Sequence, residues 1–101
     1  MGKYDEQNED LHTTLVRAGI SARIDYEAAE HEVTVELPGP PSKHLVFDPV
    51  DDGAWRLDVE FDLGDGWATR ENVVYSVGVE YAVPVVEGLL RWFQARSAAS
   101  A

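Results

Sequence analysis

The chain is 101 residues long and 45% hydrophobic, with 19 acidic against 8 basic side chains and a net charge of −11. That apolar share supports a folded core and excludes wholesale disorder, while the lack of cysteine excludes disulfides, thiolate catalysis and zinc–thiolate centres. Direct binding to nucleic acid is disfavoured, because each phosphate contact needs a cation and the bases here are few and scattered.

Taken in chain order, the first predicted element is a helix over Asp5 to Ala18. Tyr4, Leu11, Leu15 and Ala18 recur at helical spacing, Asp5, Glu6, Glu9 and Asp10 suit the positive end of the helix dipole, and Gly19 is a natural stop. A hairpin follows. ARIDYEA sets Ala22, Ile24 and Tyr26 against Arg23, Asp25 and Glu27, and HEVTVELP turns Val33, Val35 and Leu37 inward with Glu32, Thr34 and Glu36 outward. The PGPPS break at 38–42 ends that strand.

KHLVFDP reads as a third strand with Leu45 and Phe47 inward, and Asp52-Gly53 suits the reversal after it. The fourth strand is the clearest. AWRLDVEFDLGDGW places Trp55, Leu57, Val59, Phe61 and Leu63 on one parity and Arg56, Asp58, Glu60 and Asp62 on the other. LGDG at 63–66 is the next turn. VVYSVGV is the fifth strand, with Val73, Tyr75, Val77 and Val79 sharing a parity. PVVEGLLRWFQAR reads as a closing helix with Pro84 in its first turn. Apolar residues cover more than half its circumference, and the RSAASA tail is expected to fray from about residue 97.

The expectation is a single α+β domain over residues 1–101: helix, five antiparallel strands, helix, with both helices on one sheet face and the other face in water.

The acids raise the question of catalysis. Asp58, Glu60 and Asp62 stand about 6.6 Å apart per step on a strand, a separation that suits a pair of glycosidase carboxylates. A regular open sheet face supplies solvent, however, and not the apolar pocket that raises a general acid's pKa. The DPVDDG segment lacks the alternating ligands and distal glutamate of an EF-hand loop, so turn chemistry accounts for it. His12, His31 and His44 share no metal-site spacing, and no phosphate-binding or nucleophile-elbow motif occurs. No catalytic, metal or cofactor-binding residue is assigned, and no enzyme activity is expected.

HLVFDPVDDGAWRLDVE, residues 44–60, followed by AVPVVEGLLRWF, residues 82–93, resembles a family of small uncharacterised actinobacterial proteins. In those a strand and an acidic turn lead to a glycine–tryptophan strand, and a proline-started helix closes the chain; here Ala54 separates Gly53 from Trp55. The likeness covers about the last 60 residues. It implies a fold and a bacterial background, and carries no activity or site residue.

Two functional expectations follow. Asp25, Glu27, Glu32, Glu36, Asp58, Glu60 and Asp62 form one acidic face if the strands share a register. Such a face would steer a basic protein surface, in its sharpest form by imitating nucleic acid and inhibiting a DNA- or RNA-binding protein, as phage-encoded inhibitors of host defence do. The alternative is a homodimeric structural or chaperone-like protein whose seam is Val85, Leu89 and Trp92 on the closing helix. The acidic opening MGKYDEQNED is unlike a signal peptide, and no apolar run approaches the ~20 residues of a membrane helix. A cytoplasmic setting without membrane contact is therefore expected.

Overall fold

The computed structural model describes residues 3–27 and 31–99. Seven elements follow one another: α1 (Asp5–Arg17), β1 (Ala22–Asp25), β2 (Glu32–Leu37), β3 (Lys43–Asp51), β4 (Ala54–Gly64), β5 (Trp67–Gly78) and α2 (Val79–Ala99). The strands pair antiparallel in chain order, so the sheet is a meander with β1 and β5 at its edges. The fold is an α+β sandwich, as the alternation of apolar and charged residues predicts.

The inward parity of the middle strands makes the core. Val33, Val35, Leu45, Phe47, Trp55, Leu57 and Val59 pack against Leu11 and Leu15 of α1 and Ala82 and Val86 of α2. Each buried Leu, Phe or Trp removes enough apolar surface from water to contribute about 1.5–3 kcal/mol. Trp55 is also fixed by a polar contact. Its Nε1–H donates to Oδ1 of the buried Asn8 at 2.8 Å, and Asn8 Nδ2 donates to the His31 carbonyl. Gln7 ties α1 to the β3–β4 turn in the same way, accepting from Gly53 N–H at 2.8 Å and donating to the Asp51 carbonyl at 3.0 Å.

Three details depart from the sequence reading. β1 ends at Asp25, so Tyr26 and Glu27 lie in the bend beyond it, and residues 28–30 fall outside the described residues. α2 begins at Val79, directly after β5, and continues to Ala99, past the expected fraying point. Pro84 is therefore the sixth helical residue and deprives the Glu80 carbonyl of its usual partner. The burial of Ala82 and Val86 offsets that loss.

The third departure concerns β5, which runs over Trp67–Gly78 where the sequence reading began it at Val73. Asp58 pairs with Asn72 and Leu57 with Val74, which leaves Val73 as an extra residue. A second one is inserted before Val77 reaches Trp55. These two bulges break the expected parity. Val77 is buried and Val74 packs on the core, whereas Val73 is exposed and Tyr75 is 83% exposed.

α2 crosses the sheet obliquely. It leaves the end of β5 and finishes near the β2–β3 loop, where Lys43 Nζ donates to the Gly39 and Pro41 carbonyls at 2.8 and 3.0 Å and lies 5.5 Å from the Phe93 ring. The free end of the long β4–β5 hairpin is left uncovered on the helix side, so Leu63 and Trp67 are exposed. Among the described residues no helix is long and apolar enough to cross a membrane.

Candidate functional site

The outer sheet face carries the acid row, and the register shows how those acids are placed. Glu36, His44, Glu60 and Arg70 stand in one line across β2 to β5, while Thr34, Val46, Asp58 and Asn72 stand in the next. Arg70 spans the face. Its Nε donates to Glu60 at 2.8 Å, and its two terminal nitrogens donate to both oxygens of Glu32 at 2.8 and 3.0 Å. Since Glu32 is on β2 and Arg70 on β5, the clasp passes over β3 and β4. Val46 lies beneath this layer and is 0% exposed although its parity is outward.

Asp58 is equally occupied. It is 3% exposed and accepts from Arg56 Nε at 3.0 Å and Asn72 Nδ2 at 3.1 Å. Glu60 also meets His44 Nε2 at 2.8 Å. The electrostatics reflect the crowding. Burial first, then the charges of Glu32 and Asp58, raise the Asp48 pKa above its ordinary value, with Arg70 and Arg56 opposing. The hydrogen bonds to Glu32 and Glu60 hold Arg70 still more firmly charged than a free guanidinium.

Of the seven acids expected on one face, Glu32, Asp58 and Glu60 are thus committed to the chain's own cations. Asp25, Glu27, Glu36 and Asp62 are exposed. Asp25 and Asp62 cap local turns, accepting from the Glu27 and Gly64 N–H groups at 2.9 Å, and Glu27 has left the sheet. Arg70, which organises this face, has only a weak signal in the sequence. A base two residues from Asn72 on the strand opposite Glu60 is the signal, but its partner on β2 is set by tertiary curvature. Among the described residues no group of three or more His, Asp or Glu is arranged to hold a metal ion.

The second surface lies on the helix side. Val85, Leu89 and Trp92, the three residues expected to form a seam, line one open groove of about 730 Å³. Its other wall is Val59, Phe61 and Val73 of the β4–β5 hairpin. The groove exists because α2 crosses obliquely while the hairpin runs on past it. Trp92 is 52% exposed, packs edge-on against Phe93 at 4.8 Å between ring centroids, and carries the Arg96 guanidinium 4.7 Å above its ring. Among the described residues six of the nine exposed large hydrophobics, Leu63, Trp67, Val73, Tyr75, Tyr81 and Trp92, fall between positions 63 and 92.

Comparison with protein-family models, with curated proteins and with solved structures returns no match for this chain.

Proposed function

We propose that this protein is a non-enzymatic interaction module whose working surface is the apolar groove between α2 and the β4–β5 hairpin. The observation that carries this reading is the apolar lining of that open groove, Val59, Phe61, Val73, Val85, Leu89 and Trp92, on an otherwise acidic chain. Monomeric soluble proteins rarely leave such groups clustered, and a large exposed apolar patch marks a contact surface. The acids of the outer face serve mainly to hold the sheet and keep the protein dispersed.

A second reading, attraction of a basic protein surface, is favoured by one observation: Asp25, Glu27 and Glu36 line a common depression on the outer face, with Glu60 at its side. Arg23, Lys43 and His44 line the same depression and dilute its field.

Two variants decide between the surfaces, each checked for native circular dichroism. Leu89→Asp places a charge in the groove, and Glu36→Gln combined with Asp62→Asn discharges the outer face. Complex formation, with further copies or with proteins of the native host, should fail in the first and persist in the second. Loss confined to the second variant would transfer the function to the acids.

A further inference from the structure

On the groove reading, whatever fills the groove must fit against Gly88. It sits mid-helix, where glycine costs about 1 kcal/mol relative to alanine. Such a residue is commonly retained because another part of the chain approaches its backbone. Here a Cβ built on Gly88 would meet nothing within 4 Å, yet Gly88 lines the groove. The notch has no occupant from its own chain.

Its neighbours are arranged for a helix to lie against it. Tyr81, Val85, Gly88 and Trp92 recur at spacings of four, three and four, the seam of a packed helix pair. Ala82, Val86 and Phe93 occupy the adjoining stripe that faces the core. Tyr81 and Trp92 are exposed, Glu87 falls on the far side of the helix wheel, and Arg96, one turn beyond Trp92, lines the groove. The seam therefore offers a large protruding knob, Trp92, one helical turn from an empty hole, Gly88.

Charge selects the occupant. Residues 1–65 hold 16 acids and 5 bases, whereas residues 66–101 hold three of each. The groove's own charged lining is Glu71 and Arg96, one of each sign, so two copies approaching by it meet without net repulsion although each carries −11 overall. We infer that the groove is an isologous dimer interface, in which a second copy of this chain lays its α2 antiparallel along the first and seats its Trp92 over the first copy's Gly88, with the reciprocal contact made by symmetry.

Sedimentation or light scattering of the full chain between about 1 and 100 µM, the range of ordinary transient to stable association, tests it. The expected mass is twice 11.2 kDa. Gly88→Leu, which fills the notch, and Trp92→Ala, which removes the knob, should each weaken the dimer at least tenfold. Gly88→Ala should also weaken it, while the diluted monomer melts no lower than wild type because alanine favours the helix. A monomer across the whole range overturns the proposal, as does a dimer that Gly88→Leu leaves intact. The groove reading has a separate fate: a monomeric protein that still loses host partners on Leu89→Asp keeps the groove and rejects the second copy, whereas a monomer indifferent to Leu89→Asp rejects both.

Discussion

Arg70 and Glu32, 38 residues apart in sequence, are joined by two hydrogen bonds of 2.8 and 3.0 Å that reach over two intervening strands. This clasp ties an edge strand to the second strand of the sheet and buries the Glu32 carboxylate. Removing the guanidinium leaves that carboxylate poorly solvated and unpaired, a more costly state than losing both partners together. Arg70→Ala should therefore lower unfolding free energy by about 1–3 kcal/mol, below the range for a fully buried pair because Arg70 itself is half in water. Urea denaturation at pH 7 measures it. Arg91→Ala on the exposed side of α2 is the control, and equal losses in the two would deny the clasp any special role. Adding Glu32→Gln to Arg70→Ala should recover part of the loss.

Asp48 supplies the pH-dependent counterpart. Its pKa is raised in the folded protein, chiefly by burial and then by Glu32 and Asp58. The native state thus binds this proton more tightly than the unfolded chain does, and stability falls as pH rises from the ordinary value of 3.8 through the raised one. Above that window the penalty is fully present; below it the penalty is absent. Asp48→Asn should raise Tm by a few degrees at pH 7 and lose its advantage as the pH is brought below about 4. A Tm difference that stays constant across the titration would remove the explanation.

The polar pair inside the core gives a third test. Asn8 and Trp55 are both almost fully buried, and Asn8 Oδ1 accepts from the indole N–H. Asn8→Ala strands that donor and the His31 carbonyl together, at a cost of about 2–3 kcal/mol. Trp55→Phe frees Asn8 instead and also opens a cavity, so it too should destabilise, by about 2–4 kcal/mol. If the hydrogen bond couples them, the double variant loses less than the sum, by about 1 kcal/mol. Strict additivity would show that the two act independently.

These cases show where legibility in the sequence stops. The alternation from Trp55 to Phe61 predicts a pleated strand, and the parity holds through the stretch that pairs with β3. It fails in β5, because a bulge is set by how one strand bends against its neighbour, so Val73 and Tyr75 emerge where the alternation turns them inward. Parity also separates acids from apolar residues without revealing which cation each acid meets. Glu32 and Glu36 are equivalent in the sequence, yet Arg70 reaches only Glu32. The groove residues Val85, Leu89 and Trp92 were legible from an excess of apolar surface on α2. Their opposite wall was not, because it depends on the crossing angle of the helix.

The same contrast makes the outer-face acids experimentally separable. Asp58 is buried and holds Arg56 and Asn72 in place, while Glu36 is exposed and opposes His44 only by register. Asp58→Ala should cost about 1.5–3 kcal/mol, since it removes the buried carboxylate that accepts from the Arg56 guanidinium, while Asn72 Nδ2 keeps the Leu57 and Val74 carbonyls. Glu36→Ala should stay within about 0.5 kcal/mol of wild type. Added salt discriminates further: screening should narrow any effect at Glu36 and leave the buried Asp58 contacts nearly untouched. Chemical denaturation of both variants in urea at about 0.05 and 0.5 M salt, spanning the range over which exposed charges become screened, measures the pair. A loss at Glu36 matching that at Asp58 would mean that the whole acid row, and not its buried members alone, holds the sheet together.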